Sequence, residues 1–272
     1  MHLSDIRIGF IGAGNMATAL IEGLLAQGLA PGHLWASDTD AAKLATLKQK
    51  GVHTTPDNKT LVLACDLVVL AVKPQGMAAV LDELDDTLKR HDCLLVSIAA
   101  GIRISMLEAA TRSGQPIVRC MPNTPALVLA GASGLYANEW VSPAQRDLAL
   151  SLLEAVGKAC WLDSEDQIDA VTALSGSGPA YFFLLMEAMQ DAGVALGLPA
   201  AVARDLCLQT AFGAAKLALA SDVDVAELRR RVTSPKGTTE AAIRQFESED
   251  LRAIVTRALN KAAQRSKELS GG

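Results

Sequence analysis

The chain has 272 residues, half of them apolar, with 25 basic and 30 acidic side chains and a formal net charge of −5. That length and apolar content exclude disorder as a global description and allow two domains with real cores. Basic residues are scattered through an acidic whole, so nucleic acid and anionic lipid are not expected partners, and a small molecule is.

In chain order, IRIGFIG (6–12) is the first candidate strand, followed by Gly12-Ala13-Gly14-Asn15-Met16-Ala17 and the helical pattern MATALIEGLLAQG. GxGxxA directly after a strand has a physical rationale. Gly12 permits a tight turn, Gly14 removes a side chain that would block a pyrophosphate, and Ala17 keeps the helix close to the sheet. Free amides of the first helical turn then face phosphate. A strand-to-helix turn without nucleotide is the alternative. The next strand, LWASD (34–38), ends in Ser37-Asp38, where a carboxylate would grip the adenosine ribose and disfavour the extra phosphate of NADPH relative to NADH. Lys43 is the nearest cation and leaves that choice open, and Asp38 also reads as a plain helix cap or turn acid.

LVVLAV (67–72) and LLVSIA (94–99) lead into Ala71-Val72-Lys73-Pro74 and Ser97-Ile98-Ala99-Ala100-Gly101, where small residues let a flat ring and a ribose approach the backbone. Lys73 reaches toward ribose or phosphate, or is simply solvated. PIVRCMPN (116–123) ends in a turn fixed by prolines, with Asn123 either near a nicotinamide or forming an Asx-turn. GASGLYA (131–137) and KACWL (158–162) add further β-type runs. Alternating strands and helices predict an α/β fold, a Rossmann dinucleotide-binding domain over 1–164.

After Asp163 only helical stretches follow, at about 166–174, 179–196, 199–220, 224–232, 238–248 and 251–268, giving an all-α domain over 165–272. The stretch 179–196 is apolar around most of its circumference, so it needs cover on several sides, and a homodimer is expected to supply it. VTSPKGTTEAAI (232–243) has the form of a helix start that receives an anion: Gly237 as cap, then Thr238, Thr239 and Glu240. Arg229, Arg230, Arg231 and Lys236 add positive potential, although a plain cap and a solvated face are the simpler readings. SGSGPAY (175–181) is a second Gly/Ser joint before a helix, with Pro179 suited to its first turn.

Five cysteines (Cys65, Cys93, Cys120, Cys160, Cys207) stand apart, with no CxxC pair and no histidine at metal-ligand spacing, so neither a disulfide framework nor a metal site is expected. A cytoplasmic setting fits. No signal peptide is expected, because Asp5 and Arg7 precede any apolar stretch. No membrane span is expected either, the most apolar run (181–189) falling short of the roughly 20 residues required. The four histidines, His2, His33, His53 and His91, all lie in the first half, none at the C-terminal end of a predicted strand. That disfavours dehydrogenation of a hydroxy acid, which needs a titrating group at the carbonyl. An iminium acceptor already carries its proton and needs only positioning, charge complementarity and a hydride.

Lined up in order, GAGNMA, AVKP, SIAAG, MPNTP, SGSGPAY and SPKGTT resemble the motifs of pyrroline-5-carboxylate reductases from Ile6 to about Leu269. The resemblance implies a Rossmann domain and a helical dimerisation domain, with dimers that assemble further. The reaction it implies is reduction of 1-pyrroline-5-carboxylate to L-proline by NADPH or NADH. By the same resemblance, Ile11, Gly12, Ala13, Gly14, Asn15 and Met16 hold the pyrophosphate, while Asp38 and Asn58 take the adenosine ribose. Ala71, Val72, Lys73, Pro74, Ile98, Ala99 and Ala100 flank the nicotinamide half. Val232, Gly237, Thr238 and Thr239 form the substrate pocket across the dimer, with Glu165 as a neighbour. Thr239 is the catalytic candidate, its hydroxyl on the ring nitrogen. Many members of the family carry serine or an Asn-Arg pair where this chain has Ser37-Asp38-Thr39-Asp40, so the nucleotide preference stays open. A β-hydroxyacid dehydrogenase is the nearest rival, but its lysine would fall at Phe182. A silent nucleotide-binding dimer would need neither AVKP nor the anion-binding helix start.

Overall fold

The computed structural model describes residues 2–271, which form two compact units: 2–177 together with 261–271, and Gly178–Asn260. The first is built on one sheet of eight strands: β1 (Ile8–Ile11), β2 (Leu34–Ser37), β3 (His53–Thr55), β4 (Leu67–Leu70), β5 (Leu94–Ser97), β6 (Ile117–Met121), β7 (Gly131–Ala137) and β8 (Gly157–Trp161). Their order is 3-2-1-4-5-6-7-8, parallel throughout except between β6 and β7. Strand order reverses at β1, which makes the C-terminal end of β1 the point where a ligand crevice opens.

The strands read as continuously apolar because both faces are covered. Phe10, Leu34, Val69 and Val96 face one core with α1 (Asn15–Ala26), α2 (Ala41–Gln49) and α6 (Pro143–Glu154). Ile11, Val68, Leu70 and Leu95 face the other with α3 (Asn58–Ala64), α4 (Pro74–Arg90) and α5 (Ile104–Ala109). Alternate residues thus serve opposite cores, as parallel sheets require. All five cysteines are free thiols, Cys160 exposed and the others buried.

Two features differ from the sequence-based expectations. β3 is a strand of three polar residues at the sheet edge, which gave no apolar run to find. The helix expected over 166–174 is a short α7 (Gln167–Val171) followed by a π turn (Thr172–Gly176). The compact units divide after Ser177, because α7 packs into the first unit: Ile168 and Asp169 are buried, and Ser266 donates to Asp169 at 2.6 Å. The end of α12 therefore returns to that unit.

The second unit contains α8 (Gly178–Ala195), α9 (Ala200–Leu219), α10 (Val225–Arg231), α11 (Thr238–Ser248) and most of α12 (Leu251–Leu269). It buries little on its own. Phe182, Phe183 and Leu184 on α8 are each more than 60% exposed, and Phe212 on α9 is 60% exposed. So large an uncovered apolar surface requires a partner. The expectation of no apolar stretch long enough for a bilayer also needs correction. Helical residues Gln167–Ala195, 29 in all, are long and apolar enough by length and composition, because the helix extends well beyond 181–189.

Candidate active site

The glycine loop is shaped by three contacts. The Gly12 amide donates to the Ser37 carbonyl at 2.8 Å, and the Ala13 amide donates to the Asp38 carboxylate at 2.8 Å. Gly12 sits at φ +96°, where a Cβ would also lie 2.8 Å from the Ala71 carbonyl oxygen, so only glycine fits between β1 and β4. Gly14 caps α1, and a Cβ there would meet nothing within 4 Å. Helical bonding starts with the Thr18 amide on the Gly14 carbonyl at 2.9 Å. The amides of Asn15, Met16 and Ala17 therefore precede the helical ladder and face the space beside Gly14. An open space rimmed by helix-start amides fits a pyrophosphate.

Asp38 follows β2 and is 11% exposed at its side chain. Oδ1 accepts the Asp40 amide at 2.8 Å, while Oδ2 accepts Ala13 and lies 3.3 Å from Lys43 Nζ. Burial alone would raise its pKa. The amides of Asp40 and Ala13, with Lys43, outweigh that and hold the carboxyl below its ordinary value. Asn58, at the start of α3, accepts from Ser37 Oγ at 2.7 Å and donates to Glu83 at 2.9 Å. Glu83 was not expected here, since nothing local in the sequence links α4 to the end of β2.

The ends of β4 and β5 come to the same edge, in register with β1: Ile11 pairs with Leu70, and Leu70 with Ser97. Lys73 caps α4 and Pro74 takes its first position, where a missing N–H removes no helical bond. Ile98 donates to the Leu70 carbonyl at 3.2 Å, and Ala99 is buried. Ile11–Met16, Asp38, Asn58, Ala71–Pro74 and Ile98–Ala100 thus lie along one edge of one sheet.

Two expected site residues also hold structural hydrogen bonds. Glu165 Oε1 accepts from Arg119 Nη1 at 2.8 Å and from the Ile104 amide at 2.9 Å, with Arg103 nearby. Arg119 is 2% exposed in β6, and its charge is balanced by Glu165 through Oε1, while Oε2 lies 3.9 Å from Arg103 Nε. Asn123 likewise spends both amide groups, accepting from Ala132 and donating to the Ser175 carbonyl.

In the second unit, Gly237 caps α11 with extended backbone, and the first helical bond runs from Ala241 to the Gly237 carbonyl at 3.2 Å. The amides of Thr238, Thr239 and Glu240 precede that bond. Glu240 reaches back to accept the Lys236 amide at 2.7 Å. Val232 ends α10 and is 63% exposed. The arginine cluster is less free than expected, because Arg230 and Arg231 both pair with Glu227 at 2.9 Å.

Residues 7–101 match the family described as NADP oxidoreductase, coenzyme F420-dependent, and residues 165–269 match that described as pyrroline-5-carboxylate reductase dimerisation. The pyrroline-5-carboxylate reductase of Pseudomonas aeruginosa is 57% identical, over 98% of both chains. The chain belongs to the pyrroline-5-carboxylate reductase family. A structure of a pyrroline-5-carboxylate reductase from Coxiella burnetii matches with a TM-score of 0.94 at 48% identity, over 97% of this chain and 98% of that one. The Plasmodium falciparum pyrroline carboxylate reductase with NADP bound matches with a TM-score of 0.86 at 30% identity, over 98% and 99%. This member of the reductase family carries its dimerisation match over residues 165–269, which include α8 and α9, the helices that a single copy leaves uncovered, in keeping with a homodimer.

Proposed function

We propose that the chain reduces 1-pyrroline-5-carboxylate to L-proline with NADH or NADPH, the last step of proline biosynthesis. The observation that carries this is one chain holding both an open, amide-rimmed glycine loop and a separate helix start with uncommitted amides at Thr238 and Thr239. Full-length identity to named reductases supports it.

When bound, the nicotinamide supplies the hydride that the C=N carbon accepts. Ile11–Met16 hold the pyrophosphate through backbone amides, and Asp38 and Asn58 orient the ribose end. Ala71–Pro74 and Ile98–Ala100 present small residues and backbone to the nicotinamide half. The amides of Thr238 and Thr239 hold the substrate carboxylate, with Gly237 and Val232 beside it, and the Thr239 hydroxyl hydrogen-bonds the ring nitrogen. A protonated imine brings its own proton, so no histidine is needed. The substrate cradle is contributed across the homodimer. Dimers assemble further, the enzyme works in the cytoplasm, and neither nucleic acid nor membrane is a partner.

Asp38 tilts the choice of nucleotide toward NADH, because an ionised carboxylate repels a ribose phosphate; Lys43 offsets part of that charge. The test is direct. Purified protein is mixed with pyrroline-5-carboxylate and either NADH or NADPH, and cofactor oxidation is followed. Turnover is expected with at least one, and none with either ends the reading.

A further inference from the structure

α7 and α8 are separated by a break in helical register. The Ser177 amide donates to the Thr172 carbonyl, five residues back, at 2.8 Å, closing the π turn. Such a turn inserts a residue into the helix, and just after it the Ser175 carbonyl has no α-helical partner, because the residue four positions on is Pro179, which has no N–H. Three side-chain hydrogen bonds surround the break. Thr172 Oγ1 donates to the Ile168 carbonyl at 2.8 Å, and Ser175 Oγ donates to the Val171 carbonyl at 3.1 Å. The Ser175 carbonyl accepts from Asn123 Nδ2 at 3.0 Å.

The first two are local and common in bent helices, and the Ile168 carbonyl keeps the Thr172 amide as well. Asn123 is different: it lies 52 residues earlier, directly after the Met121-Pro122 end of β6, and is 8% exposed. Its Oδ1 accepts the Ala132 amide at 2.8 Å, so one buried amide group joins the start of β7 to the π turn. The turn also presses on β6 directly, since a Cβ at Gly176 would lie 2.8 Å from Met121 Cε. Immediately after it, between Ser177 and Gly178, the chain passes from one compact unit to the other.

We infer that Asn123 is a positioning residue of the reductase: it holds the π turn, and through it the joint at which α8 begins. This rests on the proposed function in one respect. The residues proposed to hold the nucleotide precede the joint in the chain, and those proposed to hold the substrate follow it. Loss of the brace therefore loosens the start of α8 and leaves the residues of each proposed binding site in place.

Asn123→Asp isolates the relevant arm, because it keeps an oxygen for the Ala132 amide but sets a second oxygen against the Ser175 carbonyl. Asn123→Ala, which adds no charge, is the second variant should the first fail to fold. Both are made in the full-length homodimer and compared with wild type for kcat, KM of each substrate, nucleotide Kd and amide hydrogen exchange. We expect kcat to fall about tenfold, with both KM values and the nucleotide Kd within about twofold, and faster exchange confined to residues 172–178. Unchanged kcat with lowered Tm would reduce Asn123 to a brace of β6 and β7. Lost nucleotide binding would put it in the cofactor site, and unchanged exchange over 172–178 would also overturn the inference. If wild type itself fails to turn over pyrroline-5-carboxylate, the proposed reaction fails, while hydrogen exchange still decides the role of Asn123.

Discussion

The carboxylate of Asp38 accepts the amide of Ala13 at 2.8 Å, so the end of β2 and the middle of the glycine loop form one hydrogen-bonded unit. The residue that sets charge at the ribose end thus also shapes the pyrophosphate loop. Asp38→Asn keeps an acceptor oxygen and removes the charge, and it frees Lys43 for a phosphate. The ratio of kcat/KM for NADPH to that for NADH is expected to rise by about tenfold, equivalent to about 1.4 kcal/mol. An unchanged ratio would mean the ribose end is read elsewhere. The folded pKa of Asp38 is depressed, so its contribution to stability is present above the unfolded value and is lost as pH falls through the folded one. Across the neutral range it stays ionised, so a change of the wild-type nucleotide ratio with pH would report ionisation of the NADPH 2′-phosphate and not of Asp38.

Gly12 and Gly14 separate folding from binding. A Cβ on Gly14 meets open space at ordinary φ, so Gly14→Ala should cost about 1 kcal/mol or less as a helix cap yet weaken nucleotide binding by about tenfold or more. Gly12→Ala places a side chain at φ +96° against the backbone of Ala71 and should cost about 1–3 kcal/mol of stability by denaturant unfolding. Equal stability losses, or full nucleotide affinity in Gly14→Ala, would contradict this division.

Sequence was legible where a function depends on consecutive residues. The glycine loop, the ends of β4 and β5 and the cap of α11 each signal themselves through local spacing, and the two-sided strands through unbroken apolar runs. What escaped was carried by distance in sequence. The partner of Glu165 is Arg119, 46 residues earlier, and that of Asn123 is Ser175. Neither pairing leaves a mark in either segment. β3 escaped because three polar residues at an edge have no period to detect. The return of α12 to the first unit escaped because it hangs on contacts such as Ser266 with Asp169.

The pairing of buried Arg119 with Glu165 has a measurable signature. Glu165→Ala leaves a nearly inaccessible guanidinium without its carboxylate, and about 3 kcal/mol of stability should be lost, the low end for a buried pair because Glu165 is 19% exposed. The double variant Arg119→Met/Glu165→Met should recover most of that, since no charge is then stranded. Urea unfolding of the three proteins measures it. A stable Glu165→Ala protein with raised substrate KM would instead return Glu165 to the substrate pocket.

The uncovered face of α8 makes a prediction about assembly. Phe183 is 63% exposed in one chain, and Phe183→Asp would set a charge in the face that a second copy must cover. Light scattering should show loss of the homodimer, with activity falling in parallel. A stable, active monomer would contradict both the dimer and the sharing of the substrate cradle.

The start of α11 allows one amide to be deleted without disturbing the helix. Thr238 is the first helical residue, where proline fits best, and Gly237 before it has ψ 173°, the extended backbone that a following proline requires. Thr238→Pro should therefore fold normally while removing a single N–H from the proposed carboxylate site. A hydrogen bond to a charged group contributes about 1.5–3 kcal/mol, so KM for pyrroline-5-carboxylate should rise by about tenfold or more with nucleotide Kd unchanged. Thr239→Ala leaves every amide in place and removes only the hydroxyl, so its loss should fall mainly on kcat. The contrast between the two distinguishes carboxylate binding from orientation of the ring nitrogen. An unaltered KM in Thr238→Pro, with the helix intact by circular dichroism, would mean that the substrate carboxylate is held by other groups.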